Sequence, residues 1–377
     1  MKAVISAYAR SPFHFAKKGA LAGVRPDTLA AQVVKGLLAR TDLDPALLED
    51  VILGCAYPEA AQGNNLARIV GLLAGLPQAV PGMTVNRFCG SSMQAVHIAA
   101  AQIEAGVGDA FLCVGVESMT MVPQGGFNFS PNPALAADTA TYISMGETAE
   151  NVAQRWNVSR ADQEQLAVES HRKAAAAREQ GRLRDEIVPI ATELGESLAI
   201  DGCIRPTTNR DALAALKPAF RPDGVVTAGT ASPLTDGAAA VLVTRDEFAA
   251  RHRLPALARI RSFATVGVDP AVMGIGPIPA TRKALARAGL TVADLDIVEI
   301  NEAFASQALA CLRELGLNPA TVNLDGGALA IGHPLGATGA RITGKAAALL
   351  ARQRGRYALA TQCIGGGQGI ATVLERV

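Results

Sequence analysis

Two cysteines and one histidine sit in runs suited to chemistry. Cys89 lies in VNRFCGSSMQAVHIAA, between a strand ending near Asn86 and a helix expected from about Ser91 to Ala105. A thiol at a helix N-terminus faces unpaired N–H groups and the positive end of the dipole, which lower its pKa. Gly90, Ser91 and Ser92 allow a tight turn and close approach of a ligand. A nucleophile and a buried structural cysteine both fit this local pattern. His333, in GGALAIGHPLGATGAR, stands between Gly332 and Pro334. It can be the base that activates a thiol, or a loop histidine bonded to a carbonyl. Cys363, in ATQCIGGGQG, ends a buried strand. A nucleotide-binding glycine loop is excluded there, because only IATVLERV follows, a final strand with no room for the required helix. The glycines supply backbone N–H groups to a site, or a tight turn. Asn301, in VEINEAFASQA, marks a strand-to-helix junction, where its amide either caps the helix or fixes a water or an oxyanion.

The elements that must position these residues read as an α/β fold. Short β-rich runs such as DVILGC (50–55), MTVN (83–86) and DAFLCVGVE (109–117) alternate with Ala-rich helical stretches. Three segments recur in order at offsets of about 240–250 residues. LEDVILGCAYPEA (48–60) matches LDIVEINEAFA (295–305), and TVNRFCGSSMQA (84–95) matches TVNLDGGALAIGHPLGATGA (321–340). AFLCVGVES (110–118) matches LATQCIGGG (359–367). A duplication of this kind predicts two similar halves about a pseudo-twofold axis, with the Cys89 loop near those of His333 and Cys363. Between them, 121–233 reads as an insertion over a site, opening on the polar MVPQGGFNFSPNP and holding one clear helix capped by Ser159 and ended at Gly181.

Composition narrows the function. Hydrophobic residues make up 49% and charged residues 18%, which excludes a disordered chain. The 35 basic and 34 acidic residues argue against a nucleic-acid binder, and 4% aromatics against a single-strand platform. No run suggests a membrane span, a signal peptide or a transit peptide. The cysteines are widely spaced without a CxxC pair, so a zinc site or disulfide framework is not expected, and a reduced cytoplasm fits. Cys55, Cys113, Cys203 and Cys311, like His14, His97, His171 and His252, have no setting that suggests a role.

Taken together, VNRFCGSSMQA (85–95), MGETAENVA (145–153), VTAGTASPLTDGAAA (226–240), NEAFA (301–305), GGALAIGHPLGATGAR (326–341) and CIGGGQG (363–369) resemble the thiolase family, in the family's order and over nearly the whole chain. The resemblance implies the five-layer αβαβα thiolase fold, with 1–120 and 234–256 as the N-terminal half, 121–233 as the inserted, CoA-binding loop domain and 257–377 as the C-terminal half. It implies an acyltransferase that cleaves 3-ketoacyl-CoA with CoA, or runs the reverse Claisen condensation, by a ping-pong route through an acyl-cysteine. Cys89 would be the nucleophile. His333 would activate Cys89 and later the CoA thiol, and Cys363 would move the proton at the α-carbon of acetyl-CoA. Asn301, through a water, would join His333 in stabilising the enolate. The N–H groups of Cys89 and Gly365 would hold the tetrahedral oxyanion. Arg205 would approach the CoA nucleotide and Ser232 the pantetheine chain, Ala228 would belong to the substrate- and CoA-binding set, and Met145 and Phe304 would wall the acyl pocket.

Some positions depart from the family pattern. Ser144-Met145 replaces the His-Met of many acetoacetyl-CoA enzymes, while Thr230 and Ser232-Pro233 replace the Asn and Ser-Gly of another block. With RFCGSSMQ, these favour a broad 3-ketoacyl-CoA thiolase of fatty-acid β-oxidation over an acetoacetyl-CoA-specific one. A non-catalytic, thiolase-like carrier of CoA or lipid is the remaining alternative. CoA is a substrate here, so no cofactor and no metal is expected. The resemblance also implies a homodimer or homotetramer.

Overall fold

The computed structural model of the chain describes residues 2–136 and 140–377; residues 1 and 137–139 lie outside it. The chain opens with strand β1 (Ala3–Arg10), the two-residue β2 (His14–Phe15) and helix α1 (Pro26–Leu38). There follow β3 (Asp50–Gly54), α2 (Leu66–Leu73), β4 (Gly82–Val85), α3 (Ser91–Glu104) and β5 (Ala110–Ser118). The segment before the next long strand holds α4 (Pro133–Ala136), α5 (Met145–Arg155), α6 (Arg160–Glu179), the short β6 (Ile190–Ala191) and β7 (Ser197–Leu198), and α7 (Arg210–Ala214). The main fold resumes with β8 (Thr235–Arg245), α8 (Asp246–Arg251) and β9 (Ala258–Gly267). It closes with α9 (Pro277–Ala288), β10 (Ile297–Ile300), α10 (Ala305–Leu315), α11 (Ala328–Ile331), α12 (Leu335–Gln353), β11 (Tyr357–Ile364) and β12 (Gln368–Glu375).

Strand order makes the repeat explicit. One half runs β4-β3-β5-β8-β1, with β3 parallel to β4 and β5, and β8 antiparallel to β5 and β1. The other runs β10-β11-β12-β9, with β10 parallel to β11, β12 antiparallel to β11 and β9, and a parallel bridge from Val298 to Val322 in the place of β4. The three sequence repeats therefore fall on β3 and β10, on β4 and the Val322 segment, and on β5 and β11. The halves join at one edge, where β1 meets β9 through Val4–Arg259 and Ile5–Ala258.

Burial on both faces explains why the strands read as near-continuous apolar runs rather than alternating ones. In β5, Leu112 and Val114 pack outward with Leu29, Val33 and Leu37 of α1, while Phe111 and Cys113 pack inward with Val96 and Ile103 of α3. In β11, Leu359 packs outward with α9 and α10, while Ala358 and Ala360 face the same inner core. Helices α3 and α12 fill that core between the sheets, giving the five layers of the αβαβα arrangement. They approach so closely that a Cβ on Gly339 would lie 2.3 Å from the Met93 nitrogen, and α12 lies as near to β5, where a Cβ on Gly115 would lie 2.3 Å from the Gly336 carbonyl oxygen.

In the segment between β5 and β8, Ser159 caps α6 by accepting from the Asp162 N–H at 3.1 Å. A second helix there, α5, was not anticipated; Ser144 caps it by accepting from Glu147 N–H at 3.3 Å. Buried ion pairs tie this segment to the main fold. Arg10 of β1 is bidentate to Asp201 at 2.7 and 2.8 Å and bonds Glu186 at 2.8 Å. Such pairs fix geometry more than they add stability.

Candidate active site

The Cys89 turn is built from its own neighbours. Phe88 adopts a left-handed φ of 42°, unusual for an aromatic residue and a sign of a constrained position. Its N–H bonds Asn86 Oδ1 at 2.8 Å, while Ser91 Oγ accepts from Arg87 N–H at 2.9 Å and donates to the Phe88 carbonyl at 2.6 Å. Cys89 is thereby held half-buried just ahead of α3. The Gln362 side chain donates to its carbonyl, linking the turn to β11.

Cys363 is buried near the end of β11, beyond which Gly366 and Gly367 take positive φ and reverse the chain into β12. The backbone N–H groups of Gly365 and of Cys89 itself face the Cys89 sulfur and favour its thiolate. Burial outweighs them and pushes the Cys89 thiol up to about 11. The lowering expected from a helix N-terminus is therefore overturned: loss of water around the sulfur dominates. Burial also pushes the Cys363 thiol well up, and the neighbouring Cys89 and Cys311 sulfurs add to it.

His333 precedes α12 and is buried, which drives its pKa down to about 3, helped by the positive charge of Arg341. Its tautomer follows from its partners. Thr338 Oγ donates to the Pro334 carbonyl at 2.9 Å and so accepts from His333 Nδ1 at 2.6 Å. Nε2 is left as an acceptor and faces the Asn301 amide Nδ2 at 3.3 Å. Asn301 is not a helix cap, because α10 begins only at Ala305. Its Oδ1 is buried without a partner among the described residues, a position that a bound water fits.

Glu117, at the end of β5, joins the two halves beside this cluster. It accepts from Ala56 N–H at 2.8 Å, Tyr57 N–H at 3.2 Å, Gln62 Nε2 at 2.9 Å and Gly336 N–H at 2.9 Å. Burial raises its pKa, and these donors work in the opposite direction. Neither Glu117 nor Thr338 was singled out by sequence reasoning. The available signals were an acid closing an apolar strand, and a hydroxyl on the first turn after His333.

Met145 and Phe304 share an apolar cluster with Cys363, Met273, Ala303 and Val226. Phe220 meets Phe304 edge-on at 5.9 Å and extends that wall. Ser232 is half-buried and its N–H bonds the Ala303 carbonyl at 3.0 Å, beside Phe304. Arg205 and Ala228 are exposed and make no described contact with the cysteines or His333. The Arg205 guanidinium lies over the Phe15 ring at 5.0 Å.

Two runs of strands in matching order around a shared helical layer define an α/β fold of duplicated halves. The chain belongs to the thiolase family: residues 3–247 match the thiolase N-terminal domain and 254–376 the thiolase C-terminal domain. It is 47% identical over 387 residues to the 3-ketoacyl-CoA thiolase of Bacillus subtilis (strain 168), covering 99% of each chain. It is 48% identical over 386 residues to that of Shewanella baltica, covering 100% of each. The crystal structure of human mitochondrial 3-ketoacyl-CoA thiolase superposes with a TM-score of 0.92 at 36% identity, covering 100% of this chain and 98% of that one.

Proposed function

We infer that this chain is a 3-ketoacyl-CoA thiolase, an acyltransferase that uses CoA to cleave 3-ketoacyl-CoA into acetyl-CoA and a shortened acyl-CoA. The observation that carries the reading is the Cys89 sulfur set beside Cys363 and the Gly365 N–H, together with the buried Asn301–His333 pair, in which Nε2 of the imidazole is the acceptor.

His333 Nε2 takes the Cys89 proton as the sulfur attacks the 3-keto carbon. The resulting oxyanion faces the N–H groups of Cys89 and Gly365. The Cα–Cβ bond then breaks, and its electron pair becomes the enolate of acetyl-CoA. Protonated His333 and a water on Asn301 stabilise the enolate oxygen. Cys363 gives its thiol proton to the α-carbon, and acetyl-CoA leaves. His333 returns its proton to the Cys363 thiolate and is again a base when CoA arrives. It takes the CoA proton, the CoA sulfur attacks the thioester, and the proton goes back to the departing Cys89 sulfur. Every proton is accounted for, and no step calls for a metal or redox cofactor.

The insertion 121–233, between halves at 1–120 with 234–256 and at 257–377, is assigned the CoA surface. Arg205 is assigned to the nucleotide, Ser232 to the pantetheine chain, Ala228 to the substrate- and CoA-binding set, and Met145 and Phe304 to the acyl wall. Ser144 is exposed and occupied as a helix cap, in keeping with broad chain-length use in fatty-acid β-oxidation. Among the described residues no helix is long and apolar enough to cross a membrane. Six free cysteines suit the reducing cytoplasm, and the expected assembly is a homodimer or homotetramer.

The test is CoA-dependent thiolysis of 3-ketoacyl-CoA substrates of increasing length, with Cys89→Ser as control. The expected result is turnover over several lengths that disappears in the control. Absence of turnover at every length, with CoA still bound, would sink the reading in favour of a carrier.

A further inference from the structure

Cys89 and Tyr57 both pack against an apolar group formed by Ala16, Ala56, Met119 and Leu335, and the phenol lies near enough to the Cys89 sulfur to interact with it. The first four are buried; Tyr57 and Cys89 alone of the six are half-buried. An acyl group on the Cys89 sulfur that grows along this shared cluster reaches the Tyr57 ring at its partly open edge. The ring is held on two sides. Phe88 lies against it at 6.0 Å between centroids, tilted by 49°. On the other side, the Gly125 N–H approaches the phenol oxygen.

The loop beyond Tyr57 is fastened independently. Glu59 Oε2 accepts from Phe127 N–H at 2.8 Å. Gly126 lies so near this carboxylate that a Cβ would sit 2.1 Å from Oε1. Past this anchor, the rings of Phe127 and Phe129 are 57% and 64% exposed, apolar surface that the proton transfers do not use. Tyr57 thus stands between the apolar cluster at the sulfur and an open apolar strip on the loop.

We propose that the Tyr57 ring, set between Cys89 and the Gly125–Phe127 loop, is the stop that limits the length of acyl chain Cys89 carries. The inference rests on the reading of Cys89 as the acyl carrier. A hydrophobic wall discriminates by steric fit, and one methylene too many costs roughly 10- to 200-fold in kcat/KM. Removing the ring lets a longer chain run out over Phe127 and Phe129.

The experiment compares wild type with Tyr57→Ala and Tyr57→Phe. It reads kcat/KM for six- and sixteen-carbon 3-ketoacyl-CoA, and the acyl mass trapped on Cys89 from the matching acyl-CoA. Tyr57→Ala is expected to raise the sixteen-to-six ratio by about tenfold or more. Tyr57→Phe keeps the ring and is expected to stay within about twofold of the wild-type ratio, since only the hydroxyl facing Gly125 is lost. Tyr57→Leu replaces the alanine variant should that one not fold. A uniform loss at both lengths in Tyr57→Ala, with the ratio unchanged, overturns the inference while leaving the thiolase reading intact. A shift in Tyr57→Phe as large as in Tyr57→Ala also overturns it, because the loop contact rather than the ring would then set the limit. Wild type that neither cleaves nor becomes acylated overturns both.

Discussion

Thr338 decides which nitrogen of His333 is the acceptor: its hydroxyl donates to the Pro334 carbonyl, so it accepts from Nδ1 at 2.6 Å and leaves Nε2 unprotonated. Thr338→Val removes that acceptor and lets the other tautomer compete. A general base contributes about 10²- to 10⁴-fold, so losing part of its population should lower kcat by roughly ten- to a hundredfold. KM should change little, and Thr338→Ser should restore most of the rate. Equal losses in the valine and serine variants would mean that packing, not the tautomer, is what Thr338 supplies.

In the proposed mechanism Cys363 acts on the α-carbon proton and not on the thioester exchange. In Cys363→Ala, trapping of acetyl from acetyl-CoA on Cys89 should persist while thiolysis falls by about 10²- to 10⁴-fold. Intact-mass measurement against turnover separates the two steps. Parallel loss of trapping and turnover would give Cys363 a different role.

The resting pair is neutral. With the Cys89 thiol near 11 and His333 near 3, neither group is charged at neutral pH. Alkylation of Cys89 by iodoacetamide should accordingly rise about tenfold per pH unit from 7 to 10, following the thiolate fraction. A plateau already reached below pH 8 would indicate a preformed thiolate–imidazolium pair.

Much of this was legible in the sequence. The three ordered repeats fell on matching strands because each carries a recognisable turn after an apolar run. The matches of β8 with β12 and of β1 with β9 went unseen, because doubly buried strands differ little beyond being apolar. Cys89, His333, Cys363 and Asn301 each sat in a distinctive local setting, and the folded chain sets Cys89 beside Cys363 and Asn301 beside His333. The pKa of Cys89 was misread because a local rule, the helix N-terminus, competes with burial by Met119 and Leu335, residues distant in the chain. Glu117 and Tyr57 were overlooked for the same reason. The donors to Glu117 come from as far as Gly336, and no short pattern encodes that distance.

His97 bears on stability. Burial holds its pKa at about 3, against an ordinary 6.5, while its Nε2 meets Thr372 Oγ at 2.7 Å. The unfolded chain binds a proton below pH 6.5 that the folded chain refuses, so this contribution is full above pH 6.5 and is lost as pH falls toward 3. His97→Gln should reduce the slope of unfolding free energy against pH between 4 and 6 by about one proton, or ~1.4 kcal/mol per pH unit. Urea titrations at several pH values would measure it, and an unchanged slope would place the acid sensitivity elsewhere.

The contact of α3 with α12 carries a consequence for how the two reacting sulfurs stay in register. Cys89 belongs to the first half and Cys363 to the second, and the helices that part their sheets touch at Gly339 and Met93 with no space for a methyl group. That layer works as a spacer of fixed thickness, and the distance between nucleophile and acid is measured across it. A displacement of about 1 Å at a reacting centre can cost roughly a hundredfold in rate. The thickness of a helical layer, set by small residues where its two helices cross, is thus as much a condition of turnover as either thiol.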